Sequence, residues 1–159
     1  MKKIINPYLG MAQAEGYNCF ACAPHNEHGL HMEFYEDGDE VVCYWSPATH
    51  FQGWTDTLHG GIQATLIDET AGWVIARKMQ TSGMTTNLNI KYKRPIPTGE
   101  HVRLEIRARI CEMKRMFALM QAPITVDGEV CSTAELTFYC FSKEKAKEEF
   151  HFLPYEVEE

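Results

Sequence analysis

The sequence predicts an α+β domain in which a curved antiparallel β-sheet wraps around one long central α-helix. Residues 61–79 carry apolar side chains on nearly all sides of a helix, which is typical of a buried helix. Two strand-like segments precede this helix and four follow it, the clearest with strict alternation of apolar and polar residues. Because a sheet can bury such a helix on most sides only by curving around it, the two patterns together define the predicted fold.

The segments before the central helix are short. Residues 7–15 are predicted to form a short helix that ends at Gly16. Residues 30–35 and 40–45 favour two strands that form a hairpin across Asp37-Gly38-Asp39.

The segments after the central helix are strongly strand-like. Residues 86–93 and 102–110 alternate with a period of two, which indicates a sheet with one buried face. Residues 116–126 and 129–141 are predicted to form two more strands, because Asp127-Gly128 is a strong hairpin signal between them. The chain therefore reads as two strands, one buried helix and four strands.

Length and composition favour one globular domain. The chain has 159 residues, of which 45% are hydrophobic, so we expect a single domain over residues 1–159 with a sizeable core. That core is predicted to span about residues 18–141, and the charged tail from Ser142 is predicted to be peripheral.

Charge and cysteine usage limit the possible partners and location. A formal net charge of -7 argues against nucleic-acid binding. The sequence has no apolar run long enough to cross a bilayer, and no apolar segment follows the first lysines as in a secretory signal. We therefore expect a cytoplasmic protein with no membrane partner, in which the six cysteines are reduced.

The most informative motif is His59-Gly60-Gly61, which is followed in the same helix by Asp68 and Glu69. The glycines leave backbone N–H groups accessible at the helix start, where negative charge is favoured. A carboxylate two turns further on, in apolar surroundings, is costly unless chemistry or a partner uses it. The motif is consistent with an oxyanion site and a catalytic carboxylate. A tight turn with a buried, capping or ion-paired Asp68 explains the same residues equally well.

Helix geometry separates these two features. Gly60 and Asp68 are about 12 Å apart at a rise of about 1.5 Å per residue, whereas an oxyanion donor must lie about 3 Å from the reacting oxygen. If both groups serve one reaction, two subunits must share the site, which predicts a homo-oligomer with active sites at the subunit interface. Asp68 and Glu69 point roughly 100° apart on the helix, so they do not form a facing carboxylate pair.

Two further groups of residues have alternative interpretations. A hydroxyl of Thr85 or Thr86 could hold a water beside the helix carboxylate, but β-branched residues are common in strands without any function. Lys91, Lys93 and Arg94 could bind phosphates, although a solvated basic face is the more common explanation.

The run Cys19-x-x-Cys22-x-x-His25-x-x-His28 contains residue types that bind zinc. The spacing of its histidines and the absence of a long intervening loop do not match common zinc fingers. The sequence therefore predicts a plain loop here and no metal site.

Several spaced motifs between about Asn18 and Phe141 resemble the hotdog-fold acyl-CoA thioesterases of the phenylacetate-degradation (PaaI-like) type. The resemblance is carried by His59-Gly60-Gly61 with Asp68, by the run from Thr85 to Gly99, by Gln52-Gly53-Trp54 and by the run from Asn18 to Leu30. It implies a hotdog fold, in which the sheet wraps the long helix, and an acyl-CoA substrate hydrolysed to a free acid and coenzyme A without a metal or redox cofactor. It also implies a homodimer or a dimer of dimers.

The same resemblance implies roles for individual residues. Asp68 would be the general base or nucleophile, Thr85 would orient the water, and the Gly60 backbone N–H would bind the thioester oxygen with His59 shaping that hole. Asp68 and Thr85 would come from one subunit and Gly60 from its neighbour. Some relatives use a glutamate on the helix, so Glu69 remains a second candidate acid.

The resemblance further implies that Lys91, Lys93 and Arg94 contact the phosphates of coenzyme A. The chain departs from the family in having Gly53 where some relatives carry asparagine, which leaves Gln52 as a substitute oxyanion contact. Two rival functions on the same fold are a non-catalytic acyl-CoA-binding module and an enoyl-CoA hydratase or dehydratase. The sequence lacks the Asp-x-Asn-Pro-x-His run of one such dehydratase branch.

Overall fold

Nine β-strands form one antiparallel sheet in the computed structural model, which describes residues 1–11 and 16–159. The strands are β1 (Lys2–Ile5), β2 (Tyr35–Asp37), β3 (Glu40–Trp45), β4 (Gly83–Tyr92), β5 (Leu104–Lys114), β6 (Phe117–Gln121), β7 (Ile124–Val126), β8 (Glu129–Cys140) and β9 (Glu156–Val157). Their order in the sheet is β4-β8-β6-β5-β3-β2-β1-β9, and β7 pairs with both β5 and β8.

The central helix α1 (Gly60–Val74) continues into a π-helical segment, Ile75–Met79, and ends at Gln80, whose φ of 51° is left-handed. The prediction of a helix over residues 61–79 is therefore confirmed. A second helix, α2 (Lys143–Glu149), lies in the tail. Of the short helix predicted over residues 7–15, the structure shows one 3-10 turn at Leu9–Met11, and residues 12–15 lie outside the described part of the chain.

The sheet curves around α1 because the helix is apolar on several sides. Leu66, Ile67, Ala71, Val74 and Ile75 have no exposed surface. The helix contacts β3, β4, β5 and β8, which are strands from both halves of the sheet. This is the predicted α+β arrangement, a sheet wrapped around one helix.

Two predicted strands differ from the structure, and one predicted turn agrees with it. The strand expected over residues 30–35 begins only at Tyr35: Leu30, Met32 and Phe34 are buried, but residues 30–34 do not pair as a strand, and His31 has a left-handed φ of 53°. The single strand expected over residues 116–126 is two strands, β6 and β7, because Pro123 cannot donate a ladder hydrogen bond. The turn predicted at Asp127-Gly128 joins β7 and β8, and both residues have positive φ.

The tail predicted to be peripheral packs against the rest of the domain. Its strand β9 pairs with β1 at the end of the sheet. The Tyr155 carbonyl accepts hydrogen bonds from Arg77 (3.0 Å) and Gln80 (2.8 Å), and its ring packs edge-on against Trp73 with centroids 4.9 Å apart. The charged residues of α2 face outwards, but the aromatic residues that follow them supply apolar surface that the domain buries.

Strand β4 is the edge of the sheet, and its exposure contradicts the expectation of one buried face. Leu88 is 37% exposed and Tyr92 is 53% exposed, although both lie opposite buried residues of β8. Within a single chain nothing pairs with the outer side of β4 among the described residues. Such an edge is a template for pairing with another chain.

In the described residues, no helix is both long and apolar enough to cross a membrane.

Replacing Leu66, which is fully buried on α1, tests how far the helix contributes to stability. We expect Leu66→Ala to lower the free energy of unfolding by about 2–5 kcal/mol, since it leaves a cavity in the core. Met113→Ala, at a position that is 41% exposed, should cost less than about 1 kcal/mol. Urea unfolding of both variants measures the difference, and equal losses would contradict the buried position of α1.

Candidate active site

The centre of the candidate site is a hydrogen bond between α1 and β4. Asp68 lies two turns into α1, and its Oδ1 accepts a hydrogen bond of 2.5 Å from the Thr85 hydroxyl at the start of β4. Both residues line a cavity of about 250 Å³. The structure therefore brings together the two residues that the sequence proposed as an acid and its orienting hydroxyl.

A β-bulge in β4 turns Thr85 towards the helix. The pairing with β8 shifts register between Thr85 and Asn87, so that Thr86 is the extra residue and its hydroxyl donates to the Thr137 carbonyl at 3.1 Å. Thr85 lies opposite the buried Phe138, which places it on the same face of the sheet as α1. Of the two threonines, only Thr85 therefore reaches the carboxylate.

The other walls of this cavity come from the helix and from the tail. Trp73 lies one turn beyond Asp68 on α1, and the tail contributes Phe152 and Tyr155. Sequence reasoning did not assign the tail residues to the site, because no local pattern links residues 150–155 to a helix more than 70 residues earlier. The aromatic residues of the tail were the available signal for this packing, because large apolar side chains are uncommon in a fully solvated tail.

The start of α1 has its own set of hydrogen bonds, separate from the contact between Asp68 and Thr85. The Nδ1 atom of His59 accepts a hydrogen bond of 2.9 Å from the Gly61 N–H, so His59 caps the helix. Tyr92 at the end of β4 donates its hydroxyl to the Gly60 carbonyl at 2.8 Å. The Gly60 N–H has no acceptor among the described residues. It therefore remains available to an oxyanion at the positive end of the helix dipole.

The length of β4 separates the Asp68–Thr85 pair from the Gly60 N–H. Thr85 contacts Asp68, whereas Tyr92 contacts Gly60. Thr85 and Tyr92 are roughly 20 Å apart along a strand that rises about 3.3 Å per residue. The acid and the free N–H of one chain therefore cannot contact the same small group.

Glu69 has a different environment from Asp68. Its Oε1 accepts a hydrogen bond of 3.1 Å from the Trp73 indole N–H, and the Cys19 thiol lies 3.9 Å from the same oxygen. Part of the residue is accessible, but its carboxylate is desolvated, and this burial raises the pKa of Glu69 to about 7.

Cys19 and Cys22 form a compact turn beside Glu69. The Cys22 N–H lies 3.4 Å from the Cys19 sulfur. Hydrogen bonds from the Cys22 thiol and from backbone N–H groups lower the pKa of Cys19 to about 6, whereas its bond to Cys19 and burial raise the pKa of Cys22. The ligand atoms of Cys19, Cys22 and Glu69 all lie within 4.8 Å of one another, close enough to hold a metal ion.

The two histidines of the predicted Cys-Cys-His-His set lie outside this cluster. His25 contacts the Tyr17 carbonyl at 2.7 Å, and the strongly exposed His28 lies 3.8 Å from Glu27. Sequence spacing missed Glu69 as the third member because it belongs to a distant helix.

The basic residues of β4 and the following loop lie away from Asp68. Lys91 lines another cavity of about 250 Å³, together with Gln121 and Thr133. Arg94 forms an exposed ion pair of 2.9 Å with Glu129, whereas Lys93 is exposed and has no ion pair among the described residues.

The candidate oxyanion contact Gln52 is already engaged in a local turn. Its side-chain oxygen accepts a hydrogen bond of 3.1 Å from the Asp56 N–H. The side-chain amide of Gln52 has no acceptor among the described residues.

A curved antiparallel sheet wrapped around one long helix is the arrangement of the hotdog fold. Residues 55–130 match the family model described as thioesterase superfamily. A crystal structure of a thioesterase superfamily protein superposes with a TM-score of 0.70 and 25% identity, covering 76% of this chain and 62% of that one. The chain therefore has the hotdog fold, and its residues 55–130 are similar to the thioesterase superfamily.

The names of individual relatives are more specific than the description of the family. Acyl-coenzyme A thioesterase THEM4 of Rattus norvegicus is 37% identical over 95 residues, which are 57% of this chain and 40% of the relative. The chain thus spans about 40% of the length of this curated relative. A hypothetical thioesterase of Streptococcus pneumoniae, crystallised with coenzyme A, has a TM-score of 0.64 and 21% identity, covering 70% of this chain and 89% of that one.

The raised pKa of Glu69 predicts how stability depends on pH. The folded state keeps the Glu69 proton up to a pKa of about 7, whereas the unfolded state loses it near 4.5. The folded state thus binds more protons in between, so this group lowers the free energy of unfolding as pH rises, by up to about 1.4 kcal/mol per pH unit.

Glu69→Gln removes this titration and keeps an oxygen for the Trp73 indole. We expect the stability of Glu69→Gln relative to the wild type to increase by about 1 kcal/mol between pH 4.5 and pH 5.5, where Cys19 is still largely protonated. Urea unfolding in a reducing buffer with a chelator measures this difference. A constant difference across that range would show that Glu69 has an ordinary pKa.

Proposed function

We propose that this protein hydrolyses an acyl-coenzyme A thioester to the free acid and coenzyme A. The observation that carries the proposal is the Asp68 carboxylate, which is hydrogen-bonded to Thr85 and opens into a cavity. The names of the relatives, acyl-coenzyme A thioesterases, support this substrate class. The coenzyme A that accompanies one structural neighbour supports it as well.

In the proposed reaction Asp68 acts on the thioester carbonyl, directly or through water. As a general base it takes a proton from a water that Thr85 helps to orient, and the water oxygen bonds to the carbonyl carbon. The carbon–sulfur bond then breaks, and the proton passes to the departing thiolate. As a nucleophile Asp68 would instead form an anhydride, which water then hydrolyses. Thr85 donates to Asp68 rather than to Glu69, which favours Asp68 as the reacting acid.

The proposed oxyanion donor is the Gly60 N–H of a second copy of the chain. It has no acceptor among the residues that the structure describes, and it lies at a helix start, where it would stabilise developing negative charge. The distance between the two ends of β4 excludes the Gly60 of the same chain. Trp54, which is 86% exposed, lines a surface cavity with His59 and Gly60 and offers an apolar contact for that second copy.

The exposed edge of β4 offers a way for two copies to associate. Its Leu88 and Tyr92 side chains are exposed on the helix-facing side, so edge-to-edge pairing would bury them and extend the sheet. We propose a homodimer formed in this way, in which each site takes Asp68 and Thr85 from one subunit and Gly60 from the other.

The residues proposed to contact phosphates lie near Gly60, the proposed oxyanion donor. Lys91, Lys93 and Arg94 lie at the same end of β4 as Tyr92, which contacts Gly60. Lys93 has no ion pair within residues 1–11 and 16–159, whereas Arg94 would have to leave its exposed ion pair with Glu129. Charge-assisted bonds from these groups suit the phosphates of coenzyme A.

Substitution of the Asp68–Thr85 pair tests the chemistry. We expect Asp68→Asn to lower kcat by about 100- to 10,000-fold, because it removes the proton acceptor or nucleophile. Thr85→Val should lower kcat by about 10- to 100-fold through loss of orientation, whereas Thr85→Ser, which keeps the hydroxyl, should stay near the wild type. Thiol release from a panel of acyl-CoA esters measures these rates. An Asp68→Asn protein with full activity would exclude this role. A wild type that binds the esters without turnover would indicate a binding module.

Removal of a single N–H tests the oxyanion role of Gly60. Proline fits the first position of a helix, and His59 before it is already extended, with ψ of 133°. We expect Gly60→Pro to lower kcat by about 100- to 1,000-fold. Gly60→Ala keeps the N–H and adds a Cβ at an ordinary 3.5 Å from the Tyr92 ring, so it should remain active. Equal activity of the two variants would contradict the proposed donor.

Mixing two inactive variants tests whether the site is shared. In a refolded equimolar mixture of Asp68→Asn and Gly60→Pro, half of the dimers are mixed, and each mixed dimer has one intact site if the site is shared. We therefore expect about one quarter of wild-type activity to return. A site built within one chain would leave every copy defective and restore nothing.

A further inference from the structure

Three metal-binding side chains meet beside the candidate active site, and the proposed reaction uses neither thiol. Cys19 and Cys22 come from the loop before β2, and Glu69 comes from α1. Their sulfur and carboxylate oxygen atoms all lie within 4.8 Å of one another. All six cysteines of the chain are free, so both thiols are available as ligands.

The distance between the Cys19 sulfur and the Glu69 carboxylate is close to that in a tetrahedral zinc site. Zinc binds thiolate sulfur at about 2.3 Å and carboxylate oxygen at about 2.0–2.2 Å, which places the sulfur and the oxygen roughly 3.6 Å apart. The Cys19 sulfur lies 3.9 Å from Glu69 Oε1 and 4.0 Å from Oε2. A contraction of a few tenths of an ångström would allow both to bind one ion.

Neighbouring groups hold each of these side chains in place. The Trp73 indole donates to Glu69 Oε1 at 3.1 Å, the Cys22 N–H lies 3.4 Å from the Cys19 sulfur, and the Tyr17 hydroxyl contacts the Cys22 sulfur at 3.2 Å. Hydrogen bonds of this kind orient ligands and tune a bound metal.

Charge also favours a cation at this point. Three groups that can each become anionic lie together in a desolvated place, where they cannot all ionise without compensation. A divalent ion would replace the protons of these groups, so its affinity should rise with pH.

We propose that Cys19, Cys22 and Glu69 form a binding site for Zn²⁺ that fastens the segment before β2 to α1, next to Asp68. Two thiolates select a thiophilic ion over Mg²⁺ or Ca²⁺. Three protein ligands leave a fourth position for water. The site excludes His25, whose ring contacts the Tyr17 carbonyl, and it does not depend on the proposed thioesterase activity.

Metal analysis of the 159-residue chain, without a tag and in its reduced form, tests the site. We expect about one zinc per chain to remain after gel filtration in the presence of a weak chelator. Co²⁺ in place of zinc should give the intense near-ultraviolet absorption of thiolate-to-cobalt charge transfer. Neither measurement uses enzymatic activity, so the zinc site and the thioesterase function can fail separately.

Variants identify the ligands. Cys19→Ser and Glu69→Gln should each weaken zinc binding by about 100-fold or more, since loss of a direct ligand costs at least as much as loss of a supporting group. Cys22→Ser should do the same, and if it does not fold, the other two variants decide. His25→Ala and the exposed Cys111→Ser are matched controls that should bind as the wild type does.

Two results would overturn the proposal. One is reduced wild-type protein that takes up no zinc or cobalt at micromolar concentration. The other is zinc retention that is unchanged in Cys19→Ser and Glu69→Gln.

Discussion

The need to bury a helix that is apolar on most sides governs the whole structure. Leu66, Ile67 and Ile75 have no exposed surface, and the sheet achieves this only by curving from β3 and β5 round to β8 and β4. One chain supplies too few strands to continue beyond β4, so Leu88 and Tyr92 remain exposed there. The edge that the core leaves uncovered is the edge that two copies would share.

A local irregularity in the same strand creates the site. Strict alternation would place Thr86 on the helix face together with Leu88 and Tyr92, and would turn Thr85 outwards. The bulge at Thr86 reverses this alternation, so Thr85 points at Asp68 while Leu88 keeps its place opposite Leu136. A bulge costs a ladder hydrogen bond, and the Thr86 hydroxyl offsets part of that cost by donating to the Thr137 carbonyl.

The sequence predicted those features that depend on periodicity or on short motifs. The central helix, the hairpin at Asp127-Gly128 and the fold class are confirmed because each follows from local patterns. The packing of Tyr155 and the approach of Cys19 to Glu69 could not be predicted, because both join segments far apart in the chain and have no spacing to recognise. The exposure of Leu88 was missed for another reason: alternation predicts which way a residue faces, not whether the sheet of one chain covers it.

Two neighbouring acids on α1 receive opposite environments because they point roughly 100° apart. Asp68 faces the hydroxyl of Thr85 and the cavity. Glu69 faces the indole of Trp73 and the thiol of Cys19, and its pKa of about 7 means that it holds a proton much of the time at neutral pH. The helix thus separates the two carboxylates: Asp68 is the reacting acid of the proposed thioesterase site, and Glu69 is a ligand of the proposed metal site.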